Sequence, residues 1–435
     1  MERFALSRMK EWKENENRKP LIIRGARQVG KTWIMKTFGQ QYFEKTAYVN
    51  FDNNARMKQV FEGDLDIERL VLAISAETGV SIEAENTLII FDEVQEVPKA
   101  LTSLKYFYEN APQYAIVAAG SLLGVALHQG TSFPVGKVDF LDLYPLNFRE
   151  FLCAMGEKQF VSMLDSCDTQ MVTVFKTKYI ERLREYYFVG GMPEVVKDFS
   201  EKKDYNRVRV IQKNLINYYQ QDFSKHAEIK LVPRLNLVWN SIPMQLAKEN
   251  KKYIYGQVRE GSRAKDFELA IQWLLDCGLI HKVQRIQKPD LPLKAYIDFD
   301  AFKLFLVDIG LLIAMTDLDA KVIIEGNKIF TEFKGALTEQ YILQQLISDV
   351  GVIPYYYSTQ NSKGEIDFLV QGKTSVIPIE VKAEENLKAK SLKAFCEKYQ
   401  PSYAVRTSMS DYREQDWMTN IPLYAVKWIK NYVNQ

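Results

Sequence analysis

The stretch LIIRGARQVGKTW, residues 21–33, decides the fold of the first part of the chain. An apolar run leads into Gly25, and the segment that ends at Gly30, Lys31 and Thr32 has the spacing G-x-x-x-x-G-K-[ST]. Glycines there let backbone N–H groups turn toward phosphates, and the N-terminus of the following helix adds positive potential. We expect Lys31 to contact the β- and γ-phosphates of a nucleotide and the Thr32 hydroxyl to bind Mg²⁺.

A second motif, TLIIFDE at 87–93, supports a nucleotide site over a glycine-rich turn that binds nothing. Its apolar strand would deliver Asp92 beside the metal ion and Glu93 where it activates the attacking water. A later strand ends in AAGS, and Ser121 at its tip could sense the γ-phosphate. The pattern predicts binding of ATP and Mg²⁺. Hydrolysis of ATP is also predicted, and Glu93 could support either the rapid hydrolysis of a motor protein or the slow hydrolysis of a switch.

Five short apolar runs in the first third of the chain alternate with amphipathic segments. They are LIIRG (21–25), AYVNF (47–51), TLIIFD (87–92), YAIVAAG (114–120) and VDFLDL (138–143). Such alternation is typical of a parallel sheet that helices cover on both faces. We therefore predict an α/β P-loop ATPase domain over 1–150, with one strand between the loop and the acidic pair in sequence.

Length and composition restrict the remaining options. A chain of 435 residues with a net charge of +2 fits two to four domains and has no global field that would attract nucleic acid. The four cysteines and three histidines are scattered, which favours reduced thiols over disulfides or a zinc site. No export signal is expected in the charged first residues, and the apolar run 302–315 is too short and too charged to span a membrane. We expect a cytoplasmic protein.

The rest of the chain divides into three predicted parts. Residues 151–228 are helical and are assigned to a linker or lid. Residues 229–315 contain helices followed by two strand-like runs, which suggests a winged helix. Residues 316–435 contain a long helix, a hairpin and a last helix, which together form a second α/β domain.

The hairpin of this last domain carries the second chemical pattern, GEIDFLV (364–370) and IPIEVKAEEN (377–386). A two-residue turn at Gly372 and Lys373 would set Asp367 opposite Pro378, on one face with Glu380 and Lys382. The Cβ atoms of the two acidic residues would then be roughly 7 Å apart, within reach of one cation. Pro378 lacks a ladder donor, so we expect an edge strand or an outward position there.

These residue types suit a phosphodiesterase. Asp367 and Glu380 would bind Mg²⁺ together with water and substrate phosphate, and Glu339 in the preceding helix would be a further ligand or would orient one. Lys382 would orient or deprotonate a water molecule. The order Glu…Asp…Glu-x-Lys resembles the PD-(D/E)xK phosphodiesterases. Two alternatives stay open: a solvated face of cross-strand ion pairs, and a nuclease fold that binds without cutting.

Two groups of basic residues are less specific. Lys251, Lys252, Arg259, Arg263 and Lys265 lie close together with Tyr253 and Tyr255, which fits either contact with a phosphate backbone or an ordinary solvated face. The transition state of ATP hydrolysis also needs a cation at the γ-phosphate. The candidates are Lys137, Arg149, Arg182 and Arg184, or a residue of a neighbouring copy.

Four stretches, LIIRGARQVGKT, IIFDEVQEVPKALTSLKYFYE, AAGSLLG and VDFLDLYPLNFREFL, resemble prokaryotic AAA-type ATPases of the STAND-related group. In those proteins the ATPase domain precedes a domain of unknown function that is described as nuclease-like. YYFVGGMPEVV and the KGALTEQYI…GEIDFLV…IPIEVKAEEN series are similar to that second domain. The chain departs from the family at Lys137, where an arginine is usual. The departure bears on whether this position can act as an arginine finger, since lysine lacks the planar fork of the guanidinium group.

The resemblance implies an α/β P-loop ATPase, a helical and winged-helix middle, and a restriction-endonuclease-like end. Two functional hypotheses follow. One is an ATP-driven enzyme that acts on nucleic acid, DNA rather than RNA, through a metal-dependent nuclease-like domain. The other is an ATP-driven signalling or assembly switch whose C-terminal domain binds a partner without cleavage. Either could operate as a homo-oligomer.

Overall fold

The computed structural model describes residues 1–120, 133–248, 251–325, 331–359, 364–385 and 389–435, without the side chains of 331 and 332. These residues form two compact units. One contains 2–144 together with 276–279, and the other contains 145–275 and 280–435, with Met1. The boundaries of the four parts inferred from the sequence stay a prediction.

The first unit is built on the predicted parallel sheet. Its strands are β1 (Leu21–Arg24), β2 (Lys45–Asn50), β3 (Thr87–Asp92), β4 (Ala115–Ala119) and β5 (Asp139–Asp142). They lie in the order β2-β3-β4-β1-β5, and all neighbouring pairs are parallel. β4 therefore separates the strand before the P-loop from the strand that ends in Asp92. Every residue of β3 is buried, as expected for a strand covered on both faces.

Among the described residues of this unit, five helices accompany the sheet: α1 (Ala5–Glu14), α2 (Lys31–Tyr42), α3 (Ala55–Glu62), α4 (Ile67–Thr78) and α5 (Pro98–Asn110). Asn54 and Asp66 cap α3 and α4 by accepting backbone N–H bonds, while proline occupies the first position of α5. Edge-to-face contacts of Phe51, Phe61 and Phe91 close the core on one side of the sheet.

The second unit is mainly helical as far as residue 280, as predicted. The helices are α6 (Phe148–Ala154), α7 (Lys158–Asp165), α8 (Thr169–Val174), α9 (Lys176–Val189), α10 (Pro193–Lys202), α11 (Tyr205–His226), α12 (Val232–Leu246), α13 (Tyr255–Val258), α14 (Ala264–Asp276), α15 (Ile309–Met315), α16 (Ala320–Ile324), α17 (Thr331–Gln345), α18 (Lys390–Tyr399) and α19 (Ile429–Val433). Among the described helices, none combines the length and the apolar character that a membrane crossing requires.

The glycine pair in YYFVGGMPEVV has a structural explanation. Gly190 has φ 74°, and a Cβ atom there would lie 2.2 Å from Oδ1 of Asp308. The neighbouring Gly191 donates its N–H to Oδ2 of Asp308 at 2.6 Å. Asp308 also caps α15 by accepting the Leu311 N–H at 3.1 Å. The buried carboxylate thus joins the end of α9 to the start of α15, and only glycine fits that contact.

Eight strands form the sheet of the second unit: β6 (Ile280–Ile286), β7 (Ile297–Leu306), β8 (Tyr355–Ser358), β9 (Glu365–Gln371), β10 (Val376–Val381), β11 (Val405–Ser408), β12 (Arg413–Gln415) and β13 (Met418–Pro422). Their order is β12-β13-β11-β10-β9-β8-β6-β7. The expected helices and β6–β7 hairpin are present, and β6 also pairs in parallel with β8. The hairpin assigned to a winged helix therefore continues the sheet of the C-terminal segment.

Candidate functional sites

The P-loop connects β1 to α2 through backbone conformations that favour glycine. Gly25 has φ 151° and Gly30 has φ 94°. A Cβ atom on Gly25 would lie 2.2 Å from the carbonyl oxygen of Leu143. The loop is therefore tightly packed on its outer side, and substitution of Gly25 would force its backbone to shift.

Lys31 is buried at the start of α2. Its Nζ donates hydrogen bonds to the carbonyl oxygens of Gly25 at 2.9 Å and Ala26 at 2.8 Å. Burial lowers the pKa of Lys31 to about 8, although the nearby Glu93 and Asp92 carboxylates favour the ammonium form. The side chain thus folds back on the loop, where phosphate oxygens could replace the two carbonyl acceptors.

Asp92 and Glu93 follow β3, beside the loop. Oδ2 of Asp92 accepts a hydrogen bond from the Thr32 hydroxyl at 2.7 Å, and its Oδ1 accepts the Glu93 N–H at 3.1 Å. The hydroxyl and the carboxylate are oxygen donors of the kind that Mg²⁺ prefers, so this pair fits the predicted ion. Glu93 has left-handed backbone angles, φ 51° and ψ 44°, and its carboxylate accepts a bond from Gln95 Nε2 at 2.6 Å. Ser121 lies outside the described residues.

Two further residues support the nucleotide site and were not identified from the sequence. The Tyr48 hydroxyl donates to Oδ2 of Asp92 at 2.9 Å. Arg3 donates to the carbonyl oxygens of Val29 at 3.0 Å and Tyr144 at 2.6 Å, which holds the P-loop from outside. The contact of Tyr48 follows only from the pairing of β2 with β3, and nothing in the sequence around Arg3 indicates its contact.

The four candidates for the transition-state cation have local partners. Lys137 pairs with Glu109 at 3.0 Å. The arginines form the following contacts: Arg149 with Asp165 at 2.5 Å and Asp349 at 2.8 Å, Arg182 with Glu157 at 2.6 Å and Glu185 at 2.7 Å, and Arg184 with the Ile324 carbonyl at 3.4 Å. The source of this cation stays a prediction.

The C-terminal hairpin has a different register from the predicted one. Gln371 pairs with Val376 across a four-residue loop that the Gly372 N–H closes on the Ser375 carbonyl at 2.9 Å, whereas a two-residue turn was expected. Pro378 consequently pairs with Leu369 and not with Asp367. Continuing the register by two residues sets Asp367 opposite Glu380.

Of the two positions expected for Pro378, an edge strand or an outward position, the edge strand is wrong. Strand β10 lies between β9 and β11, inside the sheet. Its parallel pairing with β11 begins at Ile379, so the residue that lacks an N–H lies just outside that ladder.

The predicted carboxylates do converge, together with lysines. Glu380 pairs with Lys382, whose Nζ lies 2.6 Å from Oε1 of the carboxylate. Glu339 on α17 forms a short hydrogen bond with Lys251 and lies 3.6 Å from Lys303. We call the group of Lys251, Lys303, Glu339, Glu365, Asp367, Glu380 and Lys382 the carboxylate–lysine cluster.

Burial and the repulsion between neighbouring carboxylates raise the pKa values of Asp367 and Glu380. Burial, then the charges of Glu339 and Glu380, raise the pKa of Asp367 well above its usual value. Burial also raises the pKa of Glu380, against the opposing effect of Lys382. Two neighbouring carboxylates that resist ionisation in the absence of a cation are suited to binding one. Oδ2 of Asp367 accepts the Val381 N–H at 2.7 Å, which fixes its orientation.

Lys251 and Lys303 form ion pairs with carboxylates of the cluster. Burial alone would lower the pKa of Lys303, but Glu339, Glu365 and Asp367 raise it above its ordinary value. For Glu339, the Lys251 and Lys303 ammonium groups outweigh burial and lower its pKa. Lys303 is fully buried. In the sequence it is one of the charged residues that interrupt the apolar run 302–315. A lysine inside such a run is itself a signal, because it requires a buried counter-charge.

The basic patch around residue 251 is only partly available for nucleic acid. Lys251 is engaged with Glu339, and Tyr253 is 3% exposed with its ring stacked on Phe302. Arg259 and Arg263 lie on the surface. A base could therefore not stack on Tyr253 without displacing it from the core.

The cluster contains a buried carboxylate oxygen that could bind a metal ion. Oε2 of Glu380 is buried and makes no hydrogen bond with any residue that the structure describes, whereas Oε2 of Glu339 lies 3.6 Å from the Lys303 ammonium. Across the same residues, no group of three or more acidic, histidine or cysteine side chains is placed to hold one metal ion. A cation at Asp367 and Glu380 would thus have two protein carboxylates and otherwise water or substrate, a set that Mg²⁺ accepts.

Three segments of the chain match known protein families. Residues 17–152 match a family described as an AAA domain. Residues 180–322 and 334–426 each match a domain of unknown function, DUF8612 and DUF4143 respectively. Among curated proteins, none matches the chain significantly.

Solved structures of three proteins show distant similarity. The Walker-type ATPase PABY2304 of Pyrococcus abyssi is 15% identical with a TM-score of 0.44, over 72% of this chain and 95% of that one. The RuvB Holliday junction branch migration motor of Thermotoga maritima is 12% identical with a TM-score of 0.29, over 64% and 87%. Cdc6p from Pyrobaculum aerophilum is 10% identical with a TM-score of 0.25, over 72% and 92%.

The AAA match covers the P-loop, Asp92 and Glu93, and the parallel sheet places these elements together. The chain therefore contains a P-loop ATPase domain of the AAA kind that includes residues 17–152, as the sequence predicted.

Proposed function

We propose that this ATPase binds ATP with Mg²⁺ and uses the nucleotide to control a metal-dependent nuclease activity of its C-terminal segment, with DNA as the substrate rather than RNA. The observation that carries the proposal is the convergence of Asp367, Glu380 and Lys382 on adjacent strands, beside the buried Glu339. The order and chemistry of these groups resemble those of the PD-(D/E)xK phosphodiesterases.

In the nucleotide site, each side chain has a defined part. Lys31 exchanges its two carbonyl acceptors for phosphate oxygens, and Thr32 and Asp92 hold the Mg²⁺ end of the nucleotide. Glu93 receives a proton from water as the water oxygen bonds to the γ-phosphorus and the bond to the β-phosphate oxygen breaks. Gln95 holds the Glu93 carboxylate at 2.6 Å before any nucleotide binds.

In the cluster, Asp367 and Glu380 would be the direct ligands of the cation. Oε2 of Glu380 supports this assignment, because a buried carboxylate oxygen that accepts no hydrogen bond from the described residues is costly unless a cation completes it. Glu339 acts as an orienting group, since Lys251 and Lys303 already hold its carboxylate. A bound Mg²⁺ would hold the scissile phosphate and polarise the attacking water.

Lys382 acts as a cation in this proposal. Burial would lower its pKa, but Glu380, Asp367 and Glu339 raise it, so the ammonium form dominates before substrate binds. An ammonium cannot accept a proton. As an ammonium, Lys382 would stabilise the negative charge that develops on the phosphate or orient the water.

The test is cleavage of labelled single- and double-stranded DNA by the full chain with Mg²⁺ or Mn²⁺. Asp367→Asn and Glu380→Gln should each abolish cleavage while leaving ATP hydrolysis intact. Glu397→Ala, at an exposed position on α18, is the matched control and should cut like the wild type. Cleavage that persists in both cluster variants would refute the nuclease site.

A switch without cleavage is the second candidate. The ion pairs of Lys251 and Lys303 favour it, because a cluster neutralised by lysines can serve folding alone. In that case Asp367→Asn would change neither metal binding nor partner binding, and ATP would drive assembly. Assembly would also explain where the transition-state cation comes from, if a neighbouring copy provides it. Analytical ultracentrifugation with and without ATP tests this point.

A further inference from the structure

The Asp92 carboxylate is held by more donors than the nucleotide site itself accounts for. Its Oδ2 accepts bonds from the Thr32 hydroxyl at 2.7 Å and from the Tyr48 hydroxyl at 2.9 Å, and its Oδ1 accepts the Glu93 N–H. Thr32 and Glu93 have roles of their own in the P-loop site. Tyr48 has none, although its hydroxyl contacts the residue that faces the metal ion.

The fold places Tyr48 for this contact. It lies on β2, two residues before Asn50, which pairs with Asp92 across the parallel β2–β3 ladder. The Lys36 ammonium, from the helix that follows the P-loop, lies 3.8 Å from the centre of the Tyr48 ring. The ring is thereby held between the sheet and α2, and its hydroxyl is directed at Asp92.

The hydroxyl is also a dependable donor. A tyrosine hydroxyl has an ordinary pKa of about 10, so it carries its proton at neutral pH and can donate it in a hydrogen bond to the Asp92 carboxylate. The Thr32 hydroxyl serves both groups, because its lone pairs can face Mg²⁺ while its hydrogen points to Asp92, whereas the Tyr48 hydroxyl serves the carboxylate alone.

We propose that Tyr48 is the positioning residue of the Mg²⁺ end of the nucleotide site, which it serves by fixing the orientation of the Asp92 carboxylate. This inference rests on the proposed binding of ATP with Mg²⁺ at the P-loop. Partners that orient a metal-facing group from outside typically change metal affinity by 10–100-fold when they are removed. Tyr48 should therefore affect the metal-dependent part of nucleotide binding and not the part that the P-loop amides and Lys31 supply.

The test substitution is Tyr48→Phe, which removes the hydroxyl and keeps the ring under Lys36. Affinity for a fluorescent ATP analogue is measured with saturating Mg²⁺ and again with EDTA, and the ratio of the two gives the gain due to the metal. We expect this gain to fall by about tenfold or more in Tyr48→Phe, with the EDTA value unchanged. Tyr108→Phe is the matched control, because Tyr108 also has a lysine ammonium over its ring, 5.7 Å from the centre, but lies on α5.

Two further variants separate the inference from its premise. If Asp92→Asn and Thr32→Ala abolish the gain while Tyr48→Phe keeps it, the Mg²⁺ site stands and the role of Tyr48 is refuted. If none of the three variants changes the gain, the Mg²⁺ assignment itself fails. An equal loss of affinity with Mg²⁺ and with EDTA in Tyr48→Phe would show a general structural role and would overturn the inference as well.

Discussion

Replacing Lys303 with methionine tests whether the carboxylate–lysine cluster is a buried ionic network. The Lys303 side chain is fully inaccessible, and its Nζ lies 2.5 Å from Glu365 and 3.6 Å from Glu339. Methionine keeps most of the volume and removes only the charge. The substitution therefore leaves carboxylates in a buried setting without their nearest cation.

The expected cost follows from the geometry. Breaking a buried ion pair by removing one partner typically costs 3–5 kcal/mol. Glu339 keeps Lys251, and the Glu365 side chain is 24% exposed, so we place the cost at the lower end, about 3 kcal/mol. At about 2–4 °C per kcal/mol, the melting temperature of the unit that contains the cluster should fall by roughly 10 °C.

Differential scanning calorimetry measures this change, since it resolves separate transitions in a chain with two units. Lys294→Met, at an exposed position that precedes β7, is the control and should stay close to the wild type. Adding Glu339→Gln to Lys303→Met should cost less than the two single changes together, because each single change already removes the same Lys303–Glu339 interaction. Mg²⁺ should also raise the melting temperature of Lys303→Met more than that of the wild type. A melting temperature for Lys303→Met equal to that of the control would refute the network.

Three further predictions concern the nucleotide site and the pH dependence of stability. Lys31→Ala should abolish binding of a fluorescent ATP analogue, and retained affinity would contradict the site assignment. Glu93→Gln should keep binding and lower the rate of phosphate release by about 10²-fold or more, whereas an unchanged rate would remove Glu93 from the mechanism. Burial lowers the pKa of His281 to about 4, below its unfolded value of 6.5, so its stabilising contribution is present above pH 6.5 and is lost as pH falls through 4. Between pH 7 and pH 4, the free energy of unfolding of His281→Gln should therefore fall by up to about 3 kcal/mol less than that of the wild type, as measured by urea titration. Equal decreases in the two proteins would contradict the lowered pKa of His281.

Local patterns were enough to predict the first unit. The P-loop is contiguous in sequence, and each buried parallel strand is an apolar run bounded by turns, so Lys31, Thr32, Asp92 and Glu93 could be assigned without knowing the strand order. That order depends on which helices cross which face, and the sequence does not show that β4 lies between β1 and β3. Tyr48 was missed for the same reason, because its contact with Asp92 exists only once β2 and β3 are paired.

The hairpin shows how a local error can leave a functional prediction intact. A glycine at the start of the turn suggested two loop residues, but the chain uses four, which the bond from Gly372 to Ser375 closes. A change of two residues in loop length shifts the cross-strand partner by two and keeps each side chain on the same face. Asp367 and Glu380 were therefore placed on the correct face with the wrong neighbours.

Lys303 could not be assigned, since its partners lie 36 and 62 residues further along the chain. The short strand β12 contains only three residues and carries no periodic signal. Both cases depend on contacts that no local window of sequence contains.

The central claim is that the two sites of this chain depend on one another. The most direct measurement is the rate of DNA cleavage in the presence of Mg²⁺ by the wild type, Lys31→Ala and Glu93→Gln, each with and without ATP. If the two sites are coupled, the cleavage rate of the wild type changes when ATP is added, and the rate of Lys31→Ala does not. Glu93→Gln binds ATP without hydrolysing it, so with ATP its cleavage rate remains at the value of the ATP-bound state. Cleavage at one rate in all six conditions would contradict the coupling, and absence of cleavage alongside intact ATP hydrolysis would contradict the nuclease.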